Sequence, residues 1–472
     1  MRRSIPCLTL LVLAIPANAQ ITRPLAITNA HILPISGKEI AKGVVLIRDG
    51  KITAVGASIE VPAGAKIVDA KGGTLMPGLV SAWSRAGLGS TSARPTMSSF
   101  VRSSRSRRGS SSRSGGGSAS NQASKKVVSG LYARQKIFGE LLEAGVTTLA
   151  LYPSGGGFPG QGAILDPGGK TPQELTIDDD AFLVAAPSLS TSGKKIIRDA
   201  LTKAKAEVAE RKKPKTDPKP APKKAEAKKG EEKAAGKPEA KPATGKPKPG
   251  EKPAPAKPES GEKPQAKTAS PEKKAPPKKK DPNIEALADL LEGKRRVFMP
   301  LGSANELLHW LDTLGDTRFA HSTIIATSLS NGAGRLDEVQ DKLGTLKAKT
   351  ILMPPGLTSS AYSSDVINPA AILNKAGTEI GFILPDSKQN LELLFFQLME
   401  LVRTGLPREI ALRAITLTPA KVLGRNKHIG SIEVGKTADL LLFTGDPLDP
   451  TSKLSRIWHK GIEVEDDREE TR

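Results

Sequence analysis

The side chains that could do chemistry are few and dispersed. The five histidines, His31, His309, His321, His428 and His459, stand far apart along the chain. His309 falls inside a helical pattern and His321 just before a strand, so each reads as a packed or surface histidine and not as a metal ligand. The single cysteine is Cys7, so disulfides, thiolate metal sites and a cysteine nucleophile are excluded from the rest of the chain. Gly168-Gly169-Lys170-Thr171 resembles a phosphate loop, but Ile164 occupies the position where the first glycine of that motif is required. Asp178-Asp179-Asp180 reads as a solvated turn capping the next element, since it lacks the glycine-containing pattern of a calcium loop. The run Pro153 to Gly162 is glycine-rich and follows an apolar strand. It reads as a tight loop or as a backbone-lined ligand contact.

The elements that must position these groups fall into three parts. Leu25 to Ile32, Gly43 to Ile47, Lys51 to Val55 and Lys66 to Val68 read as short strands, with Arg48-Asp49-Gly50 as a hairpin turn. Asp439 to Phe443, Leu454 to His459 and Ile462 to Val464 repeat that character near the other end, the last two hairpinned across Lys460-Gly461. Between them helices and strands alternate. Helices are predicted at Leu131–Ala144, Ile196–Arg211, Asn305–Leu314, Leu391–Arg403 and Pro407–Thr416. Strands are predicted at Val146–Leu151, Val297–Met299, Thr323–Ala326, Thr350–Met353 and Ile380–Leu384. Repeated strand–helix units imply a parallel sheet with crossover helices.

Two segments interrupt this body. Residues 91–126 are Ser/Arg/Gly-rich, with eight Lys/Arg and no acid, and residues 211–281 are Lys/Pro/Ala-rich, with 23 Lys/Arg against ten acids. These two segments account for all but one unit of the formal net charge of +22, so the folded body is close to neutral. With so little apolar side chain to bury, both are predicted to be disordered. They could recruit a phosphate-rich or other anionic envelope polymer by counterion release, although they lack the interleaved aromatics that base stacking uses; a solvated spacer is the plainer reading. Residues 1–19 read as a signal peptide: Arg2 and Arg3, an apolar run from Leu8 to Pro16, and Ala17-Asn18-Ala19 as a cleavage pattern. A periplasmic or secreted protein is expected. The apolar run is about half the length of a membrane span, and no later stretch is long enough to be one.

The stretch from ITNAHILPISG to LMPGLVSAWSRAG, and that from LPREIALRAITLTPAKVLG to LSRIWHKG, resemble the two ends of metal-dependent amidohydrolases of the imidazolonepropionase-like kind. LLEAGVTTLALYPSGGGFPGQGAIL is similar to the second barrel unit of exported relatives. The resemblance implies an α/β fold, a (β/α)8 TIM-like barrel at 76–425 beside a small β-sandwich made from 20–75 and 426–472. It also implies hydrolysis of non-peptide C–N bonds by water activated on one or two divalent ions. The family's first strand ends in His-x-His, whereas here Trp83 and Arg85 hold those positions. No histidine stands in Val297–Ser303 or in Ile325–Ser328, where two more are expected. The carboxylate that the family uses as proton acceptor matches Asp386, which out of context would be a helix N-cap or a surface residue. No metal ligand and no cofactor are assigned.

Three functions follow from this reading. One is a degenerate amidohydrolase that binds a small ligand at the barrel mouth or pairs with an intact paralogue. The second is an active hydrolase with an atypical site. The third is a polyanion- or envelope-binding protein acting through the basic segments.

Overall fold

In the computed structural model the described residues are 23–89, 119–213, 280–327, 342, 346, 348–359 and 365–465. The signal-peptide region and most of both low-complexity segments lie outside them. Eight strands build the main sheet: β1 (Leu79–Ser84), β2 (Val146–Leu151), β3 (Gly156–Leu165), β4 (Thr176–Ala186), β5 (Arg296–Leu301), β6 (Ser322–Ala326), β7 (Thr350–Met353) and β8 (Glu379–Phe382). They neighbour one another in that order, with the short strand Ala119–Asn121 added beside β3. Around them lie α1 (Lys136–Glu143), α2 (Thr191–Arg211), α3 (Pro282–Leu291), α4 (Ala304–Leu314), α5 (Pro369–Lys375), α6 (Leu394–Arg403) and α7 (Leu417–Val422). The result is a mixed α/β fold whose sheet forms at least a half-barrel of the TIM-like kind. Apart from Lys213, the described residues belong to one compact unit.

The strands are apolar on both faces because both faces are covered. Val80, Ala150, Phe182, Phe298 and Leu352 form one buried cluster. Leu79, Leu149, Leu183, Met299 and Trp310 belong to another that includes helix residues such as Leu201 and Leu307. Such strands read as continuous hydrophobic runs, which is why β2 and β6 were legible without alternation. The edge strands β1 and β8 are linked through residues 414 and 415: Val80 N donates to Ile415 O at 3.0 Å and Phe382 N to Ala414 O at 2.7 Å.

The sheet departs from the all-parallel expectation at one place. β3 runs antiparallel to both β2 and β4. It is built from the glycine-rich run, which is a buried strand from Gly156 onward and not a loop. Glycine is required by close approach. A Cβ on Gly160 would stand 2.4 Å from Lys125 O, and one on Gly162 would stand 2.1 Å from the Phe182 ring. The chain can thus be squeezed between residues 120–125 on one side and β4 on the other. The final residues of the Ser/Arg/Gly-rich segment, 119–126, are accordingly structured. The acidic run also differs from expectation. Asp178-Asp179-Asp180 lies within β4, where Lys126 contacts Asp179 at 2.7 Å and Arg295 contacts Asp180 at 3.1 Å.

The terminal segments come together in a second, eight-stranded sheet. Strand Thr74–Pro77 lies between Leu25–Ile32 on one side and Leu440–Phe443 on the other. Its core contains Ile27, Ile47, Ile52, Leu440, Leu442 and Trp458, drawn from both ends of the chain.

The Lys/Pro/Ala-rich segment departs from α2 and returns into α3, and its two ends are fastened. Arg211 pairs with Asp289 at 2.7 Å and with Glu207 at 3.3 Å, and Lys280 pairs with Glu207 at 2.5 Å. Asp281 caps α3 by accepting from Asn283 N. Among the described residues no helix is long and apolar enough to cross a membrane.

Candidate functional site

The C-terminal ends of the parallel strands are where a TIM-like fold builds its chemistry. At the end of β1 the register against β2 slips: Ser81 pairs with Leu149 and Ser84 with Leu151, so β1 carries one extra residue. Such a bulge re-aims side chains. Trp83 thereby joins Val80 and Ala82 in the interior cluster instead of pointing away from them. Its indole lies face to face with the ring of Tyr152, centroids 3.6 Å apart and planes 5° from parallel. Beyond it are Phe298, 6.1 Å from Trp83, and Phe182, stacked on Phe298 at 4.1 Å. Rings from β1, β4 and β5 and from the residue after β2 thus pack together in the interior cluster.

Above this stack lies a small polar cluster. Arg85 places its guanidinium carbon 5.5 Å from the Tyr152 centroid, within cation–π range. Asp386, beyond β8, accepts a 2.5 Å hydrogen bond from Ser84 Oγ and a 2.9 Å bond from Arg85 N. It caps no helix; it spans the gap between the last strand of the sheet and the first. Protein surrounds Asp386 on most sides, and this burial raises its pKa above the usual carboxylate range, opposed by Ser84, Arg85 N–H and the Arg85 charge. The residue as a whole nevertheless remains exposed to solvent. Burial likewise pushes the Tyr152 hydroxyl upward.

The donor set here does not fit a divalent ion. An indole and a guanidinium stand at the His-x-His positions, and neither donates to a cation. The described parts of the β5 and β6 ends, Val297–Ser303 and Ile325–Thr327, contribute no histidine. Among the described residues, the group of three metal-type side chains that converges is Asp178-Asp179-Asp180. It lies toward the other end of β4, and its Asp179 and Asp180 are paired with Lys126 and Arg295.

The remaining histidines are dispersed. His31 contacts Glu39 at 3.3 Å, and His309 Nδ1 lies 3.0 Å from Lys194 Nζ on a helix surface. His428 is exposed. His459 is different, and sequence reasoning missed it. Its Nε2 lies 2.6 Å from Asp166 Oδ1, and its Nδ1 lies 2.9 Å from Asp439 Oδ1. The Nδ1 contact is off the hydrogen-bonding line, so it is an ion-pair contact; Asp439 Oδ1 accepts from Lys460 N at 2.8 Å. Lys460 Nζ also contacts Asp166. Burial opposes charge on His459, but the two carboxylates prevail and raise its pKa to about 9. The same partners hold Asp166 down at about 2 against the opposing effect of burial. Asp166 follows β3, at the end of the sheet away from the mouth, and His459 belongs to the terminal sheet. The cluster is therefore a buried electrostatic junction between the two sheets. The pairing of Leu440 with Trp458 sets Asp439 opposite His459.

A cavity of about 520 Å³ lies elsewhere, between α6 and residues 447–457. Phe395, Phe396, Met399 and Leu454 line it, and Lys388 and Glu143 at its edge pair with each other. Its lining also carries Glu392, Asp449, Lys453 and Arg456.

A TIM-like sheet, a terminal strand sheet shared by both chain ends and an acidic residue after the last strand define a class. The comparisons with known proteins support the amidohydrolase superfamily as that class. Residues 342–464 match the family model described as the amidohydrolase family. An amidohydrolase from Thermotoga maritima has the same fold, with a TM-score of 0.64 and 22% identity over 93% of this chain and 99% of that one. Two imidazolonepropionases are similar in sequence. The one from Geobacillus sp. is 35% identical over 16% of this chain, and the one from Treponema denticola is 29% identical over 28% of it. The matched stretches span 17% and 35% of those relatives' lengths, well under half of either protein.

Proposed function

We propose that this protein is a catalytically silent amidohydrolase that acts as an exported binding or scaffolding protein, its ligand taken at the barrel mouth. The observation that carries this reading is the Trp83–Tyr152 stack with Arg85 above it, in the place where the family's chemistry requires imidazoles around a cation. Activated water needs a metal or a strong base beside the scissile bond. A guanidinium in that place repels a divalent ion. Asp386 is retained, but here it bonds to Ser84 and Arg85 N and so serves as a clasp across the sheet's seam. The proposal includes a closed (β/α)8-type barrel, for which the bonds through residues 414 and 415 at one level of the seam and Asp386 at another are the support. It also includes a terminal sheet curled into a sandwich, supported by Ile52 N donating to Lys436 O and Gly461 N to Ala438 O. Export rests on the sequence of residues 1–19.

The test is metal analysis of full-length protein purified without added ions and washed with a mild chelator. Less than 0.1 equivalent of zinc, manganese, iron and nickel is expected, and no hydrolysis of a panel of cyclic and linear amides with or without added zinc or manganese. A tightly held stoichiometric ion, or turnover that the ion supports, sinks the reading.

A further inference from the structure

We propose that Arg85 makes the barrel mouth a receptor for a small carboxylate, and that Asp386 selects among carboxylates for those carrying an ammonium or N–H group; this deepens the reading of a silent, ligand-binding barrel and rests on it. The argument begins with what Arg85 lacks. Arg85 is half-buried, yet among the described residues its guanidinium forms no ion pair and faces the Tyr152 ring. Asp386 is the acid that bonds to the backbone of the same residue. It accepts through one oxygen from Ser84 Oγ and through the other from the backbone N–H of Arg85, and neither oxygen pairs with the guanidinium. A guanidinium carries five N–H donors in a planar fork. Stacking on an aromatic ring uses its face and leaves edge donors directed elsewhere, and a carboxylate matches two such donors at once.

The neighbourhood narrows the class further. Trp83, only 6% exposed, and the stacked Tyr152 close the interior beneath Arg85. The ligand therefore rests on the mouth and is small. Asp386 keeps lone pairs free beyond its two bonds and is open to water, so it attracts a cationic or N–H donor and disfavours a second bare anion. A molecule bearing a carboxylate at one end and an ammonium or amide N–H at the other satisfies both groups. The guanidinium thus takes over the electrostatic part of the missing cation, attraction of an anionic group, without its capacity to activate water.

Ligand-observed saturation-transfer NMR on the full chain tests this with glycine, acetate and acetamide as probes. Glycine and acetate should give saturable signals, glycine the tighter by several-fold, and acetamide none. Arg85→Gln should weaken glycine and acetate at least tenfold, and Arg85→Lys by less. Asp386→Asn, which keeps an acceptor for Arg85 N and can turn its amide N–H toward the Ser84 hydroxyl, should abolish the preference for glycine while sparing acetate. Absence of saturable binding by the wild type, or equal binding of acetamide and acetate, overturns the proposal. So does an unchanged Arg85→Gln variant, or an unchanged glycine preference in Asp386→Asn. Should Arg85→Gln fail to fold, the wild-type, Arg85→Lys and Asp386→Asn arms still decide. Metal-free protein that ignores both anions would refute this inference alone, whereas anion binding by a protein that also holds a stoichiometric metal would refute the silent reading alone.

Discussion

The junction between the two sheets should make this protein lose stability in alkali through one histidine. His459 rises from an ordinary 6.5 to about 9 when folded, because Asp166 and Asp439 flank it. A group raised on folding contributes stability that is complete below its unfolded pKa and vanishes as pH climbs through its folded one. At roughly 1 kcal/mol or slightly more per pKa unit, the contribution is about 3 kcal/mol at pH 6, somewhat less at pH 7 and close to zero by pH 10. Asp166 is displaced in the opposite sense, to about 2, so its share is complete above about pH 4 and disappears as pH falls through that lower value. The two displacements report one attraction, and the energy is counted once. The side chains are 12% and 3% exposed, so solvent screening removes little of it. The perturbation is His459→Asn, and the assay is urea unfolding of wild type and variant between pH 6 and pH 9.5. Taking the difference cancels every other titrating group. The gap should narrow by about 2–3 kcal/mol across that range. A gap that stays constant with pH would refute the assignment of the charge to His459.

Other consequences can be checked in the same unfolding assay. Gly160→Ala places a methyl group 2.4 Å from Lys125 O at a φ of 144°, and should cost about 3 kcal/mol, with loss of a cooperative transition as the extreme outcome. Trp310 is fully buried and donates to Met299 Sδ at 3.2 Å; Trp310→Ala should cost about 3–5 kcal/mol, and a cost below 1 kcal/mol would contradict its packing. Replacing residues 214–279 by a short Gly/Ser linker should leave the circular dichroism spectrum and thermal midpoint nearly unchanged, because the Arg211–Asp289 and Lys280–Glu207 pairs survive the excision. A large fall in the midpoint would mean that the segment contributes to the core.

Much of this architecture could be read before any coordinates. The strand Leu25–Ile32 and the strand Leu454–His459 coincide with their sequence patterns, since alternation and hairpin turns speak locally. Helix α1 is shorter than its apolar spacing suggested, because Leu131 pairs with Leu88 in a short antiparallel bridge and packs against the core, so the helix starts only at Lys136. The substitution of Trp83 and Arg85 for metal-binding side chains was legible from residue type alone. Their arrangement was not. The extra residue on β1 that swings Trp83 inward depends on its register with β2, sixty-odd residues away. The glycine-rich run looked like a loop because glycine weakens a strand; here tertiary crowding demands it. The Asp166–His459 pair joins positions 293 residues apart, and nothing local marks Asp166 as its partner.

Strand Thr74–Pro77 has a consequence for how the molecule is made. One of its edges is satisfied by residues 31 and 32, the other only by residues 440–443. Until those late residues arrive, a nascent or threading polypeptide presents an unpaired row of amides bordered by apolar side chains, a surface prone to self-association. Completion of this sheet is therefore coupled to delivery of nearly the whole chain.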